Sequence, residues 1–133
     1  MSLDTPLPFE SKLMPRVVIA DDDPEILQFL SNALKAFGHV AATASRGDEA
    51  LETIRTLRPR AAFLDVLMPG LDGFEVCKAL RADASFATLP VILLSAIEAD
   101  RLAEMAASVG ATDYLSKPLS LADLRARVNK YLA

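Results

Sequence analysis

Five short apolar runs alternate with five stretches of helical periodicity along this chain of 133 residues. The runs cover residues 16–20, 39–44, 61–64, 90–94 and 114–115. The third and fourth runs are apolar throughout, which is typical of strands that are buried on both faces. A strand followed by a helix, repeated five times, predicts a parallel sheet with helices on both faces and right-handed crossovers. We therefore expect a single doubly wound (βα)5 domain of the α/β class.

Capping residues and helix breakers mark the predicted helix boundaries. Asp23 and Pro24 predict the start of the first helix, as its N-cap and first residue, and Gly38 predicts its end. Ser45 and Ser120 are the predicted N-caps of the second and the last helix. The spacing of apolar residues in the last helix predicts an inward face made of Leu121, Leu124, Val128 and Tyr131.

Composition excludes several classes of protein. Hydrophobic residues make up 52 % of the chain, which is enough for a core, but no apolar run approaches the length of about 20 residues that spans a membrane. The start of the chain lacks the pattern of a signal peptide, and a single cysteine, Cys77, excludes an internal disulfide. Both features fit the cytoplasm. The formal net charge of −4 argues against nucleic-acid binding by this chain.

The first 15 residues contain three prolines and show no periodicity. We interpret residues 1–15 as a flexible leader, and a cloning remnant is one origin that we consider for part of it. The domain itself is expected at residues 16–132. Cys77 falls on the predicted inward face of a helix, so it is expected in the core. His39 opens the second run and is expected at the surface.

Polar side chains stand where four of the predicted strands end. The groups at these ends are Asp21, Asp22 and Asp23 on the first strand, Asp65 on the third, Ser95 on the fourth and Lys117 on the fifth. The carboxyl ends of parallel strands share one edge of the sheet, and ligand crevices of open α/β sheets lie there. The second strand ends in no comparable group, which suits an edge position.

Carboxylates gathered at one edge repel each other, by about 4 kcal/mol for a pair about 4 Å apart at an effective dielectric near 20. Such a cluster is stable when a cation neutralises it, and oxygen-only ligands favour Mg²⁺, or Mn²⁺. Lys117 adds a positive charge and Ser95 a hydroxyl for an anion at the same place. These are the groups that phosphoryl transfer to an aspartate requires. Taken singly, Asp23 also fits a helix cap, Lys117 a solvated lysine and Ser95 a turn hydroxyl.

Four segments of the chain carry a resemblance to a known family. They are Val17–Asp23, Leu64–Gly73, Pro90–Ala96 and Gly110–Pro118. In their order and spacing they resemble the receiver domains of two-component response regulators, over about residues 15 to 132. The resemblance implies a flavodoxin-like sheet with the strand order 2-1-3-4-5.

The resemblance also implies roles for the acidic residues. Asp65 is expected to be the phosphoacceptor. Asp22 would bind Mg²⁺ directly, Asp21 would bind it through water, and the backbone carbonyl of Leu67 would be the third protein ligand. The phosphodonor would be a histidine kinase or a histidine phosphotransfer protein, and the domain would not be an enzyme beyond catalysing its own phosphorylation and dephosphorylation.

Three further residues receive roles from the same resemblance. Lys117 would hold a phosphate oxygen, and its bond to Pro118 would be cis. Ser95 would be the hydroxyl that turns toward the phosphoryl group, and Tyr114 the aromatic ring that moves when Ser95 does. The fourth helix, fifth strand and fifth helix would then change shape and contact an effector or a second copy of the domain.

Leu67 and Ile97 are apolar where the family varies, which suggests a long-lived phosphoryl group.

Two alternatives remain at this stage. A haloacid-dehalogenase-like phosphatase also uses an apolar strand that ends in Asp-x-Asp, but Glu25 stands where that family has a hydroxyl residue, and the chain is short for its cap. A receiver-shaped interaction module without phosphorylation is the other alternative, and the full acidic cluster with Lys117 argues against it.

Overall fold

The computed structural model describes residues 15–132, which form a five-stranded parallel sheet with the order β2-β1-β3-β4-β5. The strands are β1 (Val17–Ala20), β2 (Ala41–Ala44), β3 (Ala61–Asp65), β4 (Val91–Ser95) and β5 (Asp113–Ser116). The helices are α1 (Pro24–Ala36), α2 (Gly47–Leu57), α3 (Gly73–Ala82), α4 (Ala99–Ser108) and α5 (Leu121–Tyr131). A 3₁₀ turn at Ala84–Phe86 precedes β4. The predicted fold class, strand order and edge position of β2 are confirmed, whereas the predicted leader, apart from Pro15, lies outside the described residues.

The sheet separates two apolar cores, because successive side chains of a strand point to opposite faces. One core joins Val18, Leu64 and Leu93 to the inward faces of α2, α3 and α4. The other joins Phe63 and Ile92 to α1 and α5. Every residue of β1, β3 and β4 is buried, which explains their continuous apolar sequences. No helix in the described part of the chain is long and apolar enough to cross a membrane.

Local hydrogen bonds explain where most helices begin. Asp23 accepts a bond from Glu25 N–H and Ser120 accepts one from Asp123 N–H, so both predicted N-caps are confirmed. The prediction for Ser45 is wrong. α2 begins at Gly47 with Arg46 at its N-cap, and no side chain caps it.

Two other local predictions need correction. β2 begins at Ala41 and not at His39, because the His39 N–H donates to Leu34 O (2.8 Å) and thus belongs to the end of α1. His39 is half-buried there; burial, then Arg60 and Arg16, lower its pKa. Leu121 opens α5 with 53 % of its surface exposed, so it does not share the inward face of that helix. Cys77 is buried in the core, as predicted.

Candidate functional site

The pairing of β1 with β3 brings two carboxylates together at the edge of the sheet. Ala20 pairs with Leu64, so Asp21 and Asp65 stand side by side where these strands end. Asp21 is fully buried and Asp65 is 5 % exposed, while the neighbouring Asp22 is exposed. One carboxylate oxygen from each of the three lies within 4.8 Å of the others. The cluster is compact enough for one cation, and its all-oxygen donor set suits a hard ion such as Mg²⁺.

Lys117 reaches this cluster from the end of β5. Its Nζ lies 2.9 Å from Asp21 Oδ2 and 3.1 Å from Asp65 Oδ1, with 18 % of the side chain exposed. The Lys117–Pro118 peptide bond is cis, as the resemblance implied. Burial opposes the charge on Lys117, but the hydrogen bonds and negative charges of Asp21 and Asp65 outweigh burial and raise its pKa.

Opposing effects act on the pKa of Asp65. Burial, followed by the negative charge of Asp21, raises its pKa to about 6, and Lys117 acts in the opposite direction. The two buried carboxylates and one ammonium therefore leave an uncompensated negative charge when all three are ionised. A cation held beside Asp22 would compensate that charge, which is the physical reason to expect a metal here.

Ser95 and Tyr114 lie on the neighbouring strands β4 and β5. Ser95 is buried at the end of β4, and its Oγ accepts a hydrogen bond from the backbone N–H of Ile97 (3.1 Å). The backbone N–H of Lys117 donates to Ser95 O (2.8 Å), which ties the two strand ends together. Tyr114 pairs with Leu93, and its half-buried ring packs against the core on the α4 side. The predicted switch residues are therefore neighbours on one face of the sheet.

The loop between β3 and α3 completes the crevice and carries Leu67, which is 71 % exposed. Gly73 N–H donates to Val66 O (2.9 Å), so the loop is closed across its base. The start of α2 supports its outer side, where Gly47 N–H donates to Pro69 O (3.1 Å). A Cβ added to Gly47 would lie 1.7 Å from the carbonyl oxygen of Leu71. Sequence reasoning missed Gly47, because nothing local to it shows that a loop about 20 residues away packs on it.

A groove of about 250 Å³ runs from Lys117 along α1. Its apolar lining residues are Ile26, Phe29, Pro118 and Leu119, and Phe29 is 38 % exposed. The sequence analysis did not predict this groove. The signal in the sequence was Phe29, the aromatic residue of α1, which lies off the buried face of that helix.

The strand order, the acidic cluster and the lysine at the carboxyl edge define a flavodoxin-like domain of the receiver type. The family model of the response regulator receiver domain matches residues 17–129. The chain therefore belongs to the response regulator receiver domain family, and the resemblance seen in its sequence is confirmed.

Known proteins resemble the chain over most of its length. The transcriptional regulatory protein PrrA of Mycobacterium tuberculosis is 46 % identical over 120 residues, which are 89 % of this chain and 50 % of PrrA. The structure of the Francisella response regulator 1452 receiver domain matches with a TM-score of 0.81 and 37 % identity, over 88 % of this chain and 95 % of that one. The chain spans about half the length of the curated relatives it matches.

One of the similar solved structures contains a metal ion. The receiver domain of the sensor histidine kinase PA1611 from Pseudomonas aeruginosa has a magnesium ion coordinated in its active-site cleft. It matches this chain with a TM-score of 0.78 and 25 % identity, over 89 % of this chain and 98 % of that one. The relatives thus include both transcriptional regulators and a receiver domain of a kinase.

Proposed function

We propose that this domain accepts a phosphoryl group on Asp65 in a Mg²⁺-dependent two-component phosphorelay. The donor is the phosphohistidine of a histidine kinase or of a histidine phosphotransfer protein. An oxygen of Asp65 forms a bond to phosphorus while the bond from phosphorus to the histidine nitrogen breaks. The observation that carries the proposal is the contact of Lys117 with both Asp65 and Asp21 beside a third carboxylate.

The acidic cluster supplies the ligands for the metal. Asp22 would hold it directly and Asp21 through water, and the Leu67 carbonyl and an Asp65 oxygen would complete the protein's share. Mg²⁺, or Mn²⁺, would neutralise charge on the phosphoryl oxygens. Lys117 binds one phosphoryl oxygen, which it can do because it already lies 3.1 Å from Asp65 Oδ1.

The phosphoryl group then acts on the neighbouring strands. It brings negative charge and acceptor oxygens to Asp65, which attract the hydroxyl of Ser95. The movement of Ser95 leaves space on the side of the sheet where the Tyr114 ring packs. The face made of α4, β5 and α5 changes shape, and an effector or a second copy of the domain recognises it.

The groove beside Lys117 is suited to the protein that carries the phosphohistidine. It begins at the site and offers the exposed ring of Phe29. We propose that the domain, at residues 16–132, functions in the cytoplasm. The net charge of −4 supports a domain that does not itself bind nucleic acid. A segment beyond this domain would carry any contact with DNA.

Labelling with radioactive acetyl phosphate tests the assignment of Asp65. The wild-type domain is expected to label in the presence of Mg²⁺ and to lose the label when the metal is chelated. Asp65→Asn is expected to abolish labelling, and Asp48→Asn, which changes an exposed aspartate in α2, is the matched control. Labelling of Asp65→Asn at the wild-type level would refute the proposal.

Two further measurements exclude the alternatives. A phosphatase would hydrolyse a phosphate monoester repeatedly, whereas a receiver takes up phosphate once and releases it slowly. An interaction module that is never phosphorylated would not bind beryllofluoride in a Mg²⁺-dependent manner.

A further inference from the structure

β5 is the last strand of the sheet, so half of its backbone groups face away from β4. Side chains engage both of the backbone groups of Tyr114. Its N–H donates to Oδ1 of the preceding Asp113 (2.8 Å), and its carbonyl accepts from Nη2 of Arg127 (3.4 Å). The backbone at the predicted switch residue is therefore held by a charged pair that includes a side chain of α5.

The same pair is fixed by a third residue. Tyr131 OH donates to Asp113 Oδ2 (2.8 Å), and Arg127 Nε lies 2.8 Å from that oxygen. Arg127 Nε has no hydrogen-bond acceptor among the described residues, so this contact is an ion pair rather than a hydrogen bond. Arg127 and Tyr131 are four residues apart and thus adjacent on α5. We refer to Asp113, Arg127 and Tyr131 as the clamp.

The clamp is partly shielded from water. The side chains of Arg127 and Asp113 are 27 % and 17 % exposed. Burial, and then the bond to Asp113, raise the pKa of Tyr131 to about 12. Its phenol therefore keeps the proton that it donates to Asp113 throughout the neutral range, and the clamp persists where the protein functions.

The clamp lies behind the ring that is predicted to move. Successive residues of a strand point to opposite faces, so Asp113 faces α5 while the Tyr114 ring faces the α4 side. The contacts hold the peptide groups of Tyr114 and do not involve its ring. A fixed backbone at this position would convert the movement of Ser95 into rotation of the ring, whereas a mobile edge strand would absorb that movement by shifting.

We propose that Arg127, held by Asp113 and Tyr131, is a positioning residue that fixes the Tyr114 backbone so that phosphorylation turns its ring. This inference rests on the proposed function. It assigns to α5 a part in the switch before any partner binds. It also predicts that loss of the clamp separates occupancy of the phosphoryl site from the response of Tyr114.

Tyrosine spectroscopy can test this directly, because the chain contains two tyrosines and no tryptophan. Carbon-13 labelling of the tyrosine rings gives two sets of NMR signals, which Tyr131→Phe assigns. Mg²⁺ and beryllofluoride are titrated together, and fluorine NMR measures occupancy of the site separately. We expect a saturable shift of the Tyr114 signal in the wild type. In Arg127→Met that shift should be at least about twofold smaller at equal occupancy.

Arg125→Met is the matched control. Arg125 is an exposed arginine of the same helix whose guanidinium lies over the Phe37 ring, 5.2 Å from its centroid, and it does not belong to the clamp. The shift of the Tyr114 signal in Arg125→Met should equal the shift in the wild type. If Arg127→Met does not fold, Tyr131→Phe removes only one hydroxyl from the clamp. It should reduce the shift in the same direction by a smaller factor.

The outcomes separate the two proposals. Equal Tyr114 shifts in wild type and Arg127→Met at equal occupancy would overturn the inference and leave the proposed function intact. A wild-type domain that binds no beryllofluoride would remove the proposed function, and the inference with it. A shift that falls equally in Arg125→Met would show a general effect of charge on α5 and would also overturn the role given to Arg127.

Discussion

Replacement of Gly47 by alanine tests how the β3–α3 loop is supported. The added Cβ would lie 1.7 Å from Leu71 O and 2.5 Å from Leu71 C, whereas ordinary contacts begin at 3.4 Å. The loop must therefore move away from α2 by about 1.7 Å to reach an ordinary contact distance. The bond from Gly73 N–H to Val66 O closes its base, so residues 67–72 must absorb the shift. Leu67, whose carbonyl we assign to the metal, lies within that segment.

The expected change in the free energy of unfolding of Gly47→Ala is the difference between opposing effects. Alanine is favoured over glycine in a helix by up to about 1 kcal/mol. Overpacking costs about 1–3 kcal/mol, and loss of the bond from Gly47 N–H to Pro69 O costs about 1 kcal/mol more. We expect Gly47→Ala to lower the free energy of unfolding by about 1–3 kcal/mol. Mg²⁺ demands near-ideal geometry, so its affinity should fall about tenfold, as for other residues that support a ligand.

Urea unfolding and calorimetric titration with Mg²⁺ measure the two effects separately. Gly38→Ala is the matched control, because Gly38 has a φ of +94° and nothing within 4 Å of an added Cβ. A left-handed conformation costs a residue other than glycine about 1–2 kcal/mol, and Gly38 follows α1 at the opposite edge of the sheet from the site. The control should lose stability and keep its Mg²⁺ affinity. Wild-type stability and affinity in Gly47→Ala would refute the reasoning.

Two other substitutions test the site and the clamp. Leu67→Asn places an amide beside Asp65 that can orient an attacking water. The phosphoryl group should therefore be lost several-fold faster in a dephosphorylation time course. An unchanged lifetime would contradict the shielding role of Leu67. The pKa of Tyr131 is raised from 10.0 to about 12, so its contribution to stability is complete below about pH 10 and is lost as the pH rises through about 12. Urea midpoints should therefore fall less between pH 10 and 12 in Tyr131→Phe than in wild type, and parallel curves would count against the Tyr131–Asp113 bond.

The sequence was sufficient for the sheet and for the acidic cluster, because both follow from local patterns. Continuous apolar runs identify β3 and β4, and a charged or hydroxyl residue directly after such a run must stand at the carboxyl edge. The topology then brings Asp21, Asp65 and Lys117 together, although up to 96 residues separate them along the chain. The contacts of Lys117 with Asp21 and Asp65 follow from that topology and from the length of the lysine side chain.

The features that sequence reasoning missed depend on packing between elements. Leu121 fits the helical period, but it is the first residue of α5 and 53 % of its surface is exposed. The clamp joins β5 to α5 through side chains whose distance depends on how the helix lies across the sheet. Gly47 is constrained by the Leu71 carbonyl and not by its own conformation. The packing of one element on another is not signalled by any periodicity or motif within a single segment.

The acidic character of the site edge does not by itself indicate function. Helices in this fold run opposite to the strands, so their N-termini share the edge where the strands end. The first turns of all five helices carry acidic residues, namely Glu25, Asp48, Glu49, Glu75, Asp100 and Asp123. The helix dipole favours negative charge there whatever the chemistry.

Burial is what separates the candidate site from this background. Among residues 15–132, the buried polar or charged side chains are Asp21, Asp65 and Ser95, and all three stand at that edge. A solvated carboxylate at a helix N-terminus stabilises the fold at little cost, whereas two carboxylates removed from water destabilise it unless a cation compensates them. Lys117 compensates one of those charges. The charge left over, and not the number of acidic residues nearby, is the physical basis for the metal site that we propose at this edge.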